Sequence, residues 1–128
     1  MDFTFHTPTK IIFGLNKFKE IGKLTSHLGK TCLVVTGKIS MKKHGYLDAV
    51  KKDLESNSVK TLIFDNISND AKSSEVNLGA AICRKEKIDF IIALGGGSAI
   101  DGAKAISVAY DSGGIEPFIG VELKKNKK

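Results

Sequence analysis

The chain has 128 residues, a formal net charge of +6 and an apolar fraction of 41%. This length suits one hydrophobic core, since a chain of ~150 residues buries roughly two thirds of its unfolded surface. No apolar stretch approaches the ~20 residues of a membrane span, and the amino terminus lacks the basic and apolar regions of a signal peptide. We therefore expect a cytoplasmic domain in which Cys32 and Cys83 are small core residues.

The positive charge does not indicate binding to nucleic acid. Lysines are scattered along the whole chain, and aromatic residues make up only 7% of it. The one dense basic cluster lies at the carboxyl end, where residues 122–128 are predicted to form a disordered, solvated tail. We expect neither a nucleic acid nor a membrane as partner.

The first thirty residues predict two strands and a helix. Residues 3–6 and 10–13 suit two short strands on either side of Pro8. The following apolar residues recur at helical spacing, and Gly29 ends the pattern. These residues are Phe18, Ile21, Leu24 and Leu28.

The rest of the chain alternates strands with helices. Strands are predicted at 31–36, 61–64 and 90–94. The helices between them carry Leu47, Val50 and Leu54 and then span 74–86, with a polar loop at 65–71 and a last helix that ends near Tyr110. The strands recur about every thirty residues, which is typical of right-handed βαβ units. The expected fold is α/β, a mainly parallel open sheet with helices on both faces.

Three consecutive glycines follow the strand at 90–94 and precede the last helix. Gly95, Gly96 and Gly97 let a ligand approach the backbone closely, and the start of the helix offers unpaired N–H groups to an anion. Ser98 is expected as the N-cap, with Asp101 three residues later as in a capping box. The spacing fits neither the common dinucleotide fingerprint nor a P-loop. It predicts a phosphate site, with a purely structural turn as the alternative.

A second candidate site follows the strand at 31–36. Gly37 stands at a strand end where many dinucleotide sites carry an acidic residue that repels a 2′-phosphate. Lys38, Ser40, Lys42 and Lys43 follow it closely. This loop therefore favours NADP over NAD, and an ordinary basic loop is the alternative.

Three segments resemble the amino-terminal domain of the iron-containing (group III) alcohol dehydrogenases. They are PTKIIFG at 8–14, LGKTCLVVTGK at 28–38 and GGGSAIDGAK at 95–104. The resemblance implies a Rossmann-like, dehydroquinate-synthase-like amino-terminal domain that binds NADP or NAD for reversible hydride transfer to and from alcohols. Where the family often carries an Asn-Pro pair that contacts the cofactor, this chain has Asp70 and Ala71, so Asn69 and Asp70 are doubtful contacts, with a polar turn that caps the next helix as the alternative.

The resemblance also implies what this sequence does not contain. In that family one Asp and three His residues of a second, helical domain bind iron or zinc, and His6, His27 and His44 do not match them. The expectation is a truncated cofactor-binding portion, inactive alone and prone to form homo-oligomers. Its cofactor contacts would be Gly37, Lys38, Ser40, Gly95, Gly96, Gly97 and Ser98, with Asp101 facing the nicotinamide end or only capping its helix. Alternatives are a stand-alone or vestigial nucleotide-binding protein, and a piece of a dehydroquinate synthase-like or glycerol-phosphate dehydrogenase-like enzyme.

Overall fold

A three-stranded parallel sheet forms the centre of the computed structural model, which describes residues 1–119. Its strands are β1 (Thr31–Gly37), β2 (Lys60–Ile67) and β3 (Phe90–Leu94), in the spatial order β2-β1-β3. In the ladder, Cys32 lies opposite Thr61 of β2 and Phe90 of β3. Strand β1 is thus the central strand, and its five residues 32–36 are fully buried.

Helices cover both faces of this sheet. The helices are α1 (Ile21–Thr25), α2 (Ser40–Lys43), α3 (Tyr46–Ser56), α4 (Ser73–Glu86) and α5 (Gly97–Ser112). Short 3-10 turns occupy Lys17–Glu20, Ser26–Leu28 and Glu116–Phe118. Among residues 1–119 no helix combines the length and apolar character that crossing a membrane requires.

Alternate residues of β1 point into two separate hydrophobic clusters. Cys32 and Val34 pack with the apolar stripe of α3, formed by Leu47, Val50 and Leu54. On the opposite face, a larger cluster joins the sheet to α4 and α5; its buried members include Leu33, Val35, Phe64, Val76, Ala80, Ala103 and Ile106. The predicted α/β fold, with helices on both faces of a parallel sheet, is confirmed.

The strands predicted at 3–6 and 10–13 are wrong. Residues 1–13 form no regular structure, and their large apolar side chains are exposed, with Phe3 at 83% and Phe13 at 96%. An extended segment becomes a strand only when a neighbour accepts its backbone hydrogen bonds, and an isolated two-stranded pair is marginal in water. Neither β2 nor β3 pairs with this segment.

Several helix boundaries also differ from the predictions. The predicted helix over 18–28 is divided into α1 and two 3-10 turns. Helix α5 continues to Ser112, beyond the predicted end near Tyr110, and is followed by Gly113, whose φ of 82° is left-handed. Ser98 is not an N-cap: the residue before α5 is Gly96, and the Ser98 hydroxyl donates to the Asn69 carbonyl. The tail predicted at 122–128 lies outside the described residues.

Candidate functional site

The carboxyl ends of the three parallel strands meet at one edge of the sheet. Strand β1 leads into Lys38, β2 into Ser68 and β3 into Gly95. In open α/β sheets, ligands bind outside the carboxyl ends of the strands. A binding site is therefore expected at this edge.

A cleft of about 790 Å³ opens there, between the loop after β1 and the loop after β2. The first loop contributes Gly37, Lys38, Ile39, Ser40, Lys43 and His44 to its lining, and the second contributes Ser68, Asn69, Asp70 and Lys72. The structure thus brings together three predicted cofactor contacts, Gly37, Lys38 and Ser40.

Lysines dominate the charge of this cleft. Lys38 and Lys43 lie on one wall and Lys72 on the other, with Asp70 as the acidic lining residue. Lys42, which the sequence also suggested, forms an ion pair with Asp65 instead. The hydrogen bond that Lys42 donates to Asp65 holds the pKa of the Asp65 carboxyl below its ordinary value. The cleft consequently favours an anionic ligand.

The glycine turn after β3 presents bare backbone. At Gly95, φ is +146°, a conformation that other residues rarely adopt. Among residues 1–119, apart from the adjacent residues and the backbone of α5 itself, no atom lies within 4 Å of the position that a Cβ would take at Gly96 or Gly97. Helix α5, 16 residues long, starts at this open space, and the first N–H groups of a helix have no partners inside it. Backbone donors with open space in front of them suit a phosphate group.

One hydrogen bond links the turn to the cleft. Gly95, Gly96, Gly97 and Ser98 do not line the cleft themselves, but the Ser98 hydroxyl donates to the carbonyl of Asn69, which does. Asp101 stands apart. Its exposed carboxylate lies 3.8 Å from the ammonium of Lys104, one turn further along α5.

Sequence reasoning missed Lys72, Ser68 and His44 as lining residues and doubted Asn69 and Asp70. Strand β2 was predicted to end at Phe64, whereas it continues to Ile67. The rule that ligands bind beyond strand ends, applied to the true end of β2, points directly to Ser68 and the residues after it.

The described residues do not fit a metal ion. Within residues 1–119, no group of three or more His, Cys, Asp or Glu side chains is placed to hold one. A catalytic metal needs about three protein ligands.

The sequence profile of iron-containing alcohol dehydrogenases matches residues 8–128. The chain belongs to this family. It is 35% identical over all its 128 residues to NADH-dependent butanol dehydrogenase B of Clostridium acetobutylicum, of which it spans 33%. It is 33% identical over 107 residues to NADPH-dependent butanol dehydrogenase of Clostridium saccharobutylicum, covering 84% of this chain and 27% of that one.

Solved structures of the family share the fold. The archaeal alcohol dehydrogenase ADH/D1 from a Red Sea brine pool superposes with a TM-score of 0.81 at 38% identity, over 86% of this chain and 28% of that one. The chain therefore spans about a third of the length of these relatives.

Proposed function

We propose that this chain is the nucleotide-binding portion of an NAD(P)-dependent, metal-dependent alcohol dehydrogenase and that its cofactor is NADP(H). The observation that carries the proposal is the pairing of an open glycine turn with a lysine-lined cleft at one edge of the sheet. These two features match the two anionic parts of NADP, its diphosphate and its 2′-phosphate.

The diphosphate is assigned to the turn at Gly95, Gly96 and Gly97. The absence of side chains there lets phosphate oxygens reach the N–H groups at the start of α5, whose partial positive charge of roughly half a unit attracts them. Ser98 contributes a hydroxyl once its bond to the Asn69 carbonyl is exchanged for one to the ligand. The Asp101 carboxylate would repel the diphosphate, so Asp101 is assigned to the nicotinamide end or to no contact.

The 2′-phosphate is assigned to the cleft. Gly37 leaves the end of β1 without a carboxylate, while Lys38, Ser40 and Lys43 offer donors on the same wall. A hydrogen bond to a charged group contributes about 1.5–3 kcal/mol, so one or two such contacts decide between NADP and NAD.

The reaction assigned to the complete enzyme is reversible hydride transfer between an alcohol and the nicotinamide ring. A divalent metal would supply Lewis-acid chemistry at the alcohol oxygen in that reaction. The described residues bind and orient the nucleotide but do not hold that metal. We therefore expect this chain to bind cofactor and to show no alcohol oxidation by itself.

Isothermal titration of the chain with NADPH, NADH and pyrophosphate tests this proposal. We expect NADPH to bind at least about tenfold more tightly than NADH, because one charged hydrogen bond to the 2′-phosphate supplies about 1.5 kcal/mol or more and about 1.4 kcal/mol corresponds to a factor of ten. Gly37→Asp should remove that preference by placing a carboxylate beside the 2′-phosphate. Lys38→Ala removes one cation of the cleft and should weaken NADPH binding; Lys30→Ala removes an equal charge outside the cleft lining and, as the matched control, should not. An absence of heat with all three ligands contradicts the proposal.

A further inference from the structure

Glu75 gathers hydrogen-bond donors from both ends of the loop between β2 and α4. Its Oε2 atom accepts from the backbone N–H of Ser68 at 3.2 Å and from that of Lys72 at 3.1 Å. The hydroxyl of Ser68 lies 2.9 Å from the same oxygen. Hydrogen bonds to a carboxylate are roughly twice as strong as neutral ones. One side chain therefore closes the five-residue loop 68–72.

That loop is one wall of the lysine-lined cleft. Ser68, Asn69, Asp70 and Lys72 all line it, whereas Glu75 does not. The carbonyl of Asn69, held between the two anchored ends, accepts the hydroxyl of Ser98 from the glycine turn. The position of the cleft wall and its link to the turn thus both depend on the Glu75 carboxylate.

Helix capping accounts for only part of this arrangement. A Glu at the third helical position that accepts the N–H before the helix, as Glu75 does from Lys72, is a common way to begin a helix. The bonds to Ser68, seven residues earlier, are not needed for that purpose. Helix α4 is also anchored independently, by buried Val76, Ala80 and Cys83. Loss of the carboxylate should therefore release the loop and leave α4 in place.

We propose that Glu75 is a positioning residue for the bound nucleotide: it makes no contact with the ligand but sets the loop 68–72, and with it Lys72, against the adenosine end. This inference rests on the proposed function. Lys72 then faces Lys38 and Lys43 across the cleft and adds a third cation around the 2′-phosphate.

The test compares Glu75→Ala and Glu75→Gln with the unmodified chain. Glu86→Ala is the matched control. Glu86 is the last residue of the same helix, and its carboxylate lies 3.9 Å from the ammonium of Lys60, away from the cleft. We expect Glu75→Ala to weaken NADPH binding about tenfold or more. Glu75→Gln keeps an acceptor oxygen at the same place and should recover part of the affinity. Glu86→Ala should bind NADPH like the unmodified chain.

Pyrophosphate separates a positioning role from general loss of structure. It carries no adenosine and corresponds to the diphosphate that is assigned to the glycine turn. Glu75→Ala should therefore bind pyrophosphate within about twofold of the unmodified chain while losing NADPH affinity. Equal losses for both ligands, or NADPH binding by Glu75→Ala as tight as that of the unmodified chain, would overturn the inference. If the unmodified chain itself fails to bind NADPH, the proposed function and this inference fall together, which is a different result from the two preceding ones.

Discussion

Two groups of glycines in and beside helix α5 have opposite surroundings. At Gly79 in α4, a Cβ would lie 2.4 Å from Cδ1 of Ile106, and at Gly102 in α5 it would lie 2.9 Å from Cδ1 of Ile67. At Gly96 and Gly97, where α5 begins, no other part of the described chain lies within 4 Å of that position. Neighbouring side chains occupy the space beside Gly79 and Gly102, whereas the space beside Gly96 and Gly97 is open.

The difference separates glycines that permit close packing from glycines that leave the backbone accessible. Ile106 and Ile67 are buried, so Gly79 and Gly102 allow α4, α5 and β2 to approach within van der Waals contact. Within residues 1–119, no neighbouring side chain packs against the backbone at Gly96 or Gly97. Under the proposed function, the cofactor diphosphate occupies that space.

Substitution of Gly79 should have the largest effect. Gly79→Val places two methyl groups against Ile106 and Phe64, which are buried and cannot move aside. We expect a loss of about 2 kcal/mol or more in the free energy of unfolding, measured in urea. Ala81→Val, on the exposed side of α4, is the control and should cost less than about 1 kcal/mol. Equal losses in both variants would show that α4 and α5 are not closely packed.

Substitution at the glycine turn should alter binding and spare stability. Gly96 has a φ of −86° and Gly97 is helical, so alanine fits the backbone at both positions. Gly96→Ala and Gly97→Ala should change the free energy of unfolding by no more than about 0.5 kcal/mol. The added methyl group should nonetheless weaken pyrophosphate binding about tenfold, by calorimetry. Unchanged affinity in both variants would place the diphosphate elsewhere.

The affinity for NADP should decline in acid. The N–H groups of Lys72 and Ser68, and more weakly the charge of Lys38, hold the pKa of Glu75 below its ordinary 4.5. Its hold on the loop is therefore complete above pH 4.5 and is lost as the pH falls through the lowered pKa. Titrations with NADP between about pH 3.5 and 7 should show a fall in acid that Glu75→Gln lacks. The ligand phosphates titrate equally in both proteins, so the difference reports Glu75, and parallel profiles would contradict the prediction.

The smallest effect concerns the thiols. Burial raises the pKa of Cys32 to about 12 and also raises that of Cys83, which lies four residues after Gly79 in α4 and belongs to the larger cluster. Because the thiolate is the reactive form, both thiols should react with Ellman's reagent only slowly in the folded chain. Gly79→Val should speed the labelling of Cys83 more than that of Cys32, whereas Gly97→Ala should change neither rate. Rapid labelling of both thiols in the unmodified chain would contradict the buried positions.

The sequence by itself determined the sheet and the glycine turn. Each strand of the sheet is a short apolar run bounded by turn residues, and the runs at 31–36 and 90–94 recur with the period of a βαβ unit, so local pattern was enough. The three glycines at 95–97 could be proposed as a phosphate site from the sequence because the backbone donors there belong to one continuous segment.

Only the tertiary structure decided which distant residues meet. Residues 3–6 alternate like a strand but pair with none of the three described strands, and pairing is a property of two segments rather than one. Lys72 joins Lys38 and Lys43 because β2 runs three residues further than its apolar pattern indicates and carries the next loop to the cleft. Gly79 and Gly96 are the same residue type, so the sequence alone does not distinguish them. They differ because packing places Ile106 within 2.4 Å of a Cβ at Gly79 and leaves the space beside Gly96 open.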